Sequence, residues 1–499
     1  MKRASAIYFP AISLEASRTS PLYGQLYDWF RQAILDGRLR PGQRVPSTRS
    51  LAADLGISRA PVLGAFEQLH AEGFLQTTVG AGTRIAASIP EDRAKPYAGK
   101  AQDSGERRRR SQKLARTTST LIPRRNEPWL RHTGAFRVSL PALDHFPAGI
   151  WSSLLARHAR NPKIETMAYG DPMGYAPLRE AIAEYLGTVR AVRCEPRQIM
   201  IVNGSQQGLQ IATRALLEPG DAVWMEEPGY PGARQVFMSA DADVVAVPVD
   251  EEGLDVQQGI RLRRDARAAY ITPSHQYPMG HTMSAARRMQ FLDWASRHGA
   301  WILEDDYDSE YRFGGRPISS LQGMDADARV IYIGTLSKVL FPALRIGYIV
   351  VPDDLLPAFA AAREAMDIFS PTLLQAALTD FIRQGHFARH IRRMKVLYKD
   401  RRAALTAAID RLMGTQMEIV GAEAGMHLVG LLQAGVKDLA VAEDAAAAGL
   451  SAIPLSSCYL KPPRRGGLIL GYANTDSAQI RDGVQRLAKI IRDTVRREG

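Results

Sequence analysis

The stretch Tyr332-Ile-Gly-Thr-Leu-Ser-Lys338 reads as a short apolar strand running into two hydroxyl residues and then a single lysine. It is one of a series. Gln198-Ile-Met-Ile-Val202, Ala222-Val-Trp-Met225, Ala268-Ala-Tyr-Ile271, Ala300-Trp-Ile-Leu303, Val330-Ile-Tyr-Ile333 and Gly347-Tyr-Ile-Val-Val351 are apolar runs set between helical patterns. Strands covered on both faces have such continuous apolar runs, and their alternation with helices predicts a largely parallel sheet in an α/β domain. Sites in these sheets gather at strand ends, and three strand ends here carry chemistry.

After the first run, Asn203-Gly204-Ser205-Gln206-Gln207 opens a helix, where unpaired amides can bind an anion such as a phosphate. Many helices begin after Gly-Ser, so this signal is weak by itself. After another strand comes Glu304-Asp305-Asp306-Tyr307, where a carboxylate can keep a pyridine nitrogen protonated. Acidic residues at strand ends are also routine in loops. Thr335-Leu-Ser-Lys338 is followed seven residues on by Arg345. A lysine can form a Schiff base, and Thr with Arg can hold a phosphate dianion, whereas a lone lysine after a strand is usually just solvated. An anion cradle, a ring carboxylate, a lysine and a phosphate arginine in this order form a far less accidental set.

The N-terminal quarter has a different pattern. Leu22, Leu26, Trp29, Phe30, Ala33 and Ile34 recur at helical spacing, Gly37 stops that helix, and Pro41-Gly42 turns the chain. Ser47 precedes a short helix carrying Leu51, Ala52 and Leu55, which Gly56 ends. Ser58 can cap a third helix with Val62, Phe66 and Leu69 on its inner face. Phe74–Val79 and Thr83–Ile85 are two short strands around a glycine turn, Gly80-Ala-Gly82. Three helices and a hairpin make an α+β winged helix-turn-helix, whose third helix is small enough to enter a major groove. Arg49, Ser58, Arg59 and Ala60 stand at the ends that would face DNA, and Gly80 lets the wing backbone approach phosphate. Any one of these arginines is more simply a solvated surface charge; the ordered set points to DNA.

The net charge of +12 agrees. Residues 1–85 carry +4, residues 86–128 carry +6, and the rest only +2. The basic excess therefore fits a polyanion partner for the first quarter alone. Residues 87 to about 128 lack apolar periodicity and include Arg107-Arg-Arg-Arg110, the composition of a flexible basic tether. Cys194 and Cys458 have no metal-ligand spacing around them, so neither a disulfide nor a metal site is expected. With no signal peptide and no run of about 18 apolar residues, a cytoplasmic protein without a membrane partner is expected. At 499 residues the chain needs more than one domain.

The N-terminal unit resembles the GntR family of bacterial regulators at Pro46-Ser-Thr-Arg49, Leu55-Gly-Ile-Ser-Arg59, Phe66-Glu-Gln-Leu69 and Glu72-Gly-Phe74. It departs from that family at Ala60-Pro61, where small polar residues usually follow the arginine. Residues from about 140 to 495 resemble fold-type I pyridoxal 5'-phosphate (PLP) aminotransferases. The resemblance rests on Tyr169-Gly-Asp-Pro-Met-Gly-Tyr-Ala-Pro-Leu-Arg179, Glu227-Pro-Gly-Tyr230, Thr272-Pro-Ser-His-Gln-Tyr-Pro278 and Ser337-Lys338. It implies that Lys338 forms the internal aldimine, Asp305 partners the ring nitrogen, Tyr230 stacks on the ring and Tyr307 sits near the 3-hydroxyl. It further implies phosphate contacts from Ser205, Gln206, Thr335 and Arg345. His275 would stand near the 3-hydroxyl, and Tyr169 would reach the phosphate of a second subunit in a homodimer. In this order the halves are similar to the MocR/GabR subfamily of GntR regulators. The expected division is 15–86 winged helix-turn-helix, 87–128 linker and 129–499 aminotransferase-like PLP-binding effector domain.

Aminotransferases hold the substrate carboxylate with an arginine on a short C-terminal strand, and the matching position in Gly467-Leu-Ile-Leu-Gly-Tyr472 is Ile469. Arg464 and Arg465 are the nearby substitutes. A charge-assisted pair contributes roughly 1.5–3 kcal/mol, so its loss disfavours transamination of an ordinary α-amino acid. Three functions remain open. The first is a PLP-dependent transcriptional regulator that binds a double-stranded operator and senses PLP or its aldimine with an amino compound. The second is an active aminotransferase with a DNA-binding appendage. The third is a cofactor-free dimerisation scaffold.

Overall fold

The computed structural model describes residues 12, 14, 20–78, 82–87, 127–131, 134–314 and 318–498. Gly80 and almost all of the expected linker lie outside the described residues. The chain forms two compact units, Met1–Ser111 and Gln112–Gly499.

In the first unit, helices α1 (Leu22–Leu35), α2 (Thr48–Asp54) and α3 (Arg59–Ala71) precede strands β1 (Leu75–Thr78) and β2 (Gly82–Ile85). Leu26, Phe30 and Ile34 from α1 meet Leu51 from α2 and Val62, Phe66 and Leu69 from α3 in one buried core. The Phe30 and Phe66 rings pack edge-on with centroids 5.3 Å apart. The wing is fixed on both sides of β2: Leu75 pairs with Ile85, and the Ile85 amide donates to the Gln43 carbonyl. Ser47 caps α2 through its hydroxyl, which accepts from the Ser50 amide at 3.1 Å. Ser58 occupies the cap position of α3 but its hydroxyl makes no capping bond, which corrects the role expected for it. Pro61 is the third residue of α3, inside the first turn, where backbone amides have no intrahelical acceptor to lose.

The second unit is built on an eight-stranded sheet. Its strands are β3 (Ile199–Val202), β4 (Ala222–Glu227), β5 (Asp243–Asp250), β6 (Gly253–Leu254), β7 (Ala268–Ile271), β8 (Trp301–Asp306), β9 (Val330–Thr335) and β10 (Gly347–Val350), ordered β3-β10-β9-β8-β7-β4-β5-β6. Strands β9, β8, β7, β4 and β5 run parallel, and β10 is antiparallel to both its neighbours. The expected largely parallel sheet is present, with β5 and β6 as unforeseen members. Along β3, Met200 and Val202 enter one core while Ile199 and Ile201 enter another on the opposite face. Burial on both faces is what removes the polar alternation from these strands.

A second, antiparallel sheet combines β11 (Met417–Val420), β12 (His427–Leu432), β13 (Ile453–Pro454) and β14 (Gly467–Gly471) in the order β11-β12-β14-β13. It packs with the long helix His386–Met413 and the C-terminal helix Ser477–Glu498 around a core that includes Tyr398, Leu428, Ile469 and Ile480. Among the described residues no helix is long and apolar enough to cross a membrane.

Candidate functional site

A cavity of about 560 Å³ opens at the carboxyl ends of β4, β7, β8 and β9. Its wall includes eight of the ten expected cofactor residues: Ser205, Gln206, Tyr230, Asp305, Tyr307, Thr335, Lys338 and Arg345. They come from separated parts of the chain, and the sheet topology gathers them because parallel strands deliver all their exits to one edge.

Asp305 is placed by the alternation of β8. Successive side chains point to opposite faces, so Glu304 and Asp306 turn away from the cavity. Glu304 accepts the amides of Leu321 and Gln322, and Asp306 accepts Arg190 Nε at 2.8 Å. Asp305 Oδ2 accepts the Tyr270 hydroxyl at 2.7 Å, while its Oδ1 is buried with no hydrogen-bond partner. Burial pushes the Asp305 carboxyl up to about 7, the Tyr270 bond and Lys338 acting against it.

At the opposite end, Gly204 (φ +91°) precedes the helix Ser205–Leu216. Its positive φ favours glycine, and a Cβ there would lie 2.9 Å from the Arg345 guanidinium, which donates to the Asn203 carbonyl at 2.6 Å. Ser205, Thr335 and Arg345 line this end of the cavity, where they and the helix amides could hold a dianion. Gln206 Oε1 and Ser337 Oγ line the same cavity and are likewise buried without partners.

Lys338 lies between these ends. Its Nζ donates to the Ser139 carbonyl at 3.4 Å, and burial lowers its pKa to about 8, with Asp308 and Asp305 opposing and Arg345 and Arg137 assisting. A neutral amine is the nucleophilic form, so the rate at which this lysine condenses with an aldehyde rises about tenfold per pH unit below about pH 8 and levels above it. Stopped-flow absorbance during PLP addition tests this. A rate that climbs toward the ordinary lysine range near 10.5 would show that the amine is not perturbed.

His275 is not on the cavity wall; it sits buried behind Tyr307, its Nδ1 2.9 Å from the Tyr307 hydroxyl and 3.0 Å from Asp308. A Cβ at Gly425 would fall 2.1 Å from the His275 ring, so glycine is required for the histidine to fit. Thr272 and Tyr277 are the members of Thr272–Pro278 that reach the cavity wall. Their loop is held from below by Glu226, which accepts from the Thr272 amide and hydroxyl and from Gln276; burial raises Glu226 to about 7. Tyr169 lies apart from this cavity, 86% exposed.

The sequence reading also missed Tyr270, Arg131, Arg137, Ser139 and Ser337 on this wall. Tyr270 is hidden inside an apolar run. Arg137 and Ser139 precede the helix Ala148–Arg160 in a segment with no periodicity to flag them. In the first unit, Arg49, Ser58, Arg59 and Ala60 are all exposed around the amino ends of α2 and α3, and Arg59 Nε donates to Thr48 Oγ1 at 3.1 Å.

The residues present suit a flat aromatic aldehyde carrying a phosphate. The orphaned Asp305 Oδ1 can take a ring N–H, the orphaned Gln206 and Ser337 oxygens face the same space, and the amine and anion cradle stand at the remaining sides.

The aminotransferase class I and II family matches residues 155–487, and the bacterial regulatory proteins of the gntR family match residues 22–85. The probable rhizopine catabolism regulatory protein MocR of Rhizobium meliloti is 40% identical over 476 residues, 95% of this chain and 94% of that protein. The pyridoxine biosynthesis transcriptional regulator PdxR of Corynebacterium glutamicum is 29% identical over 94% of this chain and 96% of its own length. Among solved structures, the α-aminoadipate aminotransferase LysN of Thermus thermophilus, complexed with N-(5'-phosphopyridoxyl)-L-leucine, is 27% identical with a TM-score of 0.71. It covers 77% of this chain and 98% of that one.

Proposed function

Because the chain belongs to the MocR type of GntR-family transcriptional regulators, with a gntR domain ahead of an aminotransferase class I and II domain, we propose that Lys338 captures PLP as a signal and that the filled cavity changes how the N-terminal unit holds its operator. PLP is the cofactor of this class of domain, and when bound it supplies an aldehyde that condenses with an amine, releasing one water, and a ring that takes up electron density. In this reading residues 15–86 read DNA, 87–128 are the tether and 129–499 the sensor, in a cytoplasmic homodimer.

The single observation behind the assignment is the convergence of three orphaned polar atoms and a lysine of depressed pKa on one cavity. Asp305 holds a proton on the ring nitrogen. Tyr230 covers the ring, Tyr307 faces its hydroxyl, and Ser205, Gln206, Thr335 and Arg345 bind the phosphate. Tyr169 is exposed enough to reach a second copy. Sensing rather than turnover is supported by Ile469, which is fully buried in β14 opposite Val429 where aminotransferases present an arginine. A ligand that binds two arrangements of a protein unequally shifts their populations, so PLP is expected to change the footprint on the promoter beside the protein's own gene. The Lys338→Ala protein is expected to give one footprint with and without PLP. An identical wild-type footprint in both conditions defeats the sensor reading. Steady conversion of amino donors to keto acids supports the enzyme instead.

A further inference from the structure

We infer that the second unit carries another ligand site, separate from the Lys338 cavity, that takes a small organic acid with an apolar body and one carboxylate. The inference goes beyond the capture of PLP and does not depend on it.

A cavity of about 540 Å³ lies between the helices Ala176–Arg190 and His386–Met413 and shares no wall residue with the first. Ala181, Tyr185 and Val189 line it from one helix, and Phe387, Ile391 and Lys395 from the other. Positions four apart share a helix face, so each helix turns one continuous face toward this space. The Tyr185 and Phe387 rings pack edge-on with centroids 5.2 Å apart. The turn after β8 supplies a third side through Ser309, Glu310 and Arg312, and the Tyr185 hydroxyl donates to Glu310 Oε1 at 3.0 Å.

The charges on this wall do not balance. Five cations and two carboxylates line it. Arg190 is paired with Asp306, Arg383 with Glu180, and Arg312 donates to the Thr282 hydroxyl. Arg392 and Lys395 have no hydrogen-bond or ion-pair partner among the described residues, and they stand three apart on one helix, where like charges repel. Of the carboxylates, Glu184 is exposed to solvent, and burial raises the pKa of Glu310, which favours its neutral form. An apolar wall bordered by two unmatched cations is complementary to an apolar body that ends in a carboxylate. A bare anion gains nothing from Val189, Phe387 and Ile391, and a neutral apolar molecule leaves Arg392 and Lys395 unmatched. The place of the cavity gives such an occupant a route to the rest of the unit. Glu310 lies five residues beyond Asp305, and Arg190, which ends the first helix, holds Asp306 on the same strand.

The test titrates the full-length protein, in saturating PLP, with phenylacetate, 2-phenylethanol and acetate, and follows binding by isothermal titration calorimetry. The three probes are body with charge, body alone and charge alone. Phenylacetate is expected to bind at least about tenfold more tightly than either of the others. Replacing Arg392 and Lys395 together by glutamine should weaken phenylacetate about tenfold, to the level of 2-phenylethanol, and leave the alcohol unchanged. Thr188→Glu places a new negative charge on the facing helix at an exposed wall position, and should weaken phenylacetate by a similar factor. Circular dichroism of both variants should match wild type, since the changes fall at the surface. The inference is overturned if phenylacetate does not bind, if acetate or 2-phenylethanol binds as tightly as phenylacetate, or if the double glutamine variant keeps the preference. Unchanged phenylacetate binding in Thr188→Glu also overturns it, because the acid would then sit outside the space between the two helices.

Discussion

Lys338→Ala removes all covalently fixed PLP from the protein: after incubation with PLP and borohydride, intact mass spectrometry finds the phosphopyridoxyl adduct on wild type and none on the variant. The effect is expected to be complete because Lys338 is the one lysine on the cavity wall among the described residues. The fold should persist. The amine makes a single long hydrogen bond, 3.4 Å to Ser139, and a buried lysine pushed to about 8 is an electrostatic burden that alanine relieves. Lys338 is half-buried at the wall of an existing cavity, so truncating its alkyl stem enlarges that space and costs less than the roughly 2–5 kcal/mol of a large-to-alanine change in a packed core. Circular dichroism should therefore show native helix content with a lowered melting temperature. An adduct of unchanged yield on the alanine variant would end the assignment.

Arg59→Ala should weaken operator binding about 10- to 100-fold while weakening binding to random DNA by about threefold or less. Arg59 is exposed at the first position of α3, and its Nε bond to Thr48 restrains a side chain that would otherwise be mobile. An arginine that meets a base edge with two hydrogen bonds contributes about 1–3 kcal/mol of discrimination, whereas a phosphate contact weakens all sequences alike. Fluorescence anisotropy on both DNAs at one fixed salt concentration separates the two roles. Equal losses would make Arg59 a backbone contact and move the reading of bases to other residues on α3.

Much of this was legible because the deciding residues sit where local pattern and chemistry coincide. Lys338, Asp305 and the Ser205 cradle each follow an apolar run, so strand ends could be located and their polar residues inspected. The winged unit was legible for a similar reason: Gly37, Gly56 and the spacing of Phe30, Val62 and Phe66 mark helix ends and inner faces without any tertiary knowledge. What stayed hidden depends on contacts between distant segments. His275 and Tyr277 are two residues apart in one motif, and only the loop held by Glu226 decides which of them faces the cavity. Arg137 and Ser139 come from an aperiodic segment, and the Ser139 carbonyl meets the Lys338 amine across 199 residues. Ser58 shows the reverse error: the residue type was right for a cap, and the hydroxyl is not used as one.

The alternation along β8 leaves no freedom in the length of that strand. One inserted residue ahead of Asp305 would reverse its direction, sending it toward the Arg190 side and presenting its neighbour to the cofactor space. The buried Arg190 would then face Asp305 in place of Asp306, and Glu304 would abandon the two amides that anchor the Leu321 loop. Substitutions can be tried singly along this strand, but insertions and deletions are tolerable only in twos. A descendant that has lost or gained one residue here has most simply given up the vitamin, whatever remains of its grip on DNA.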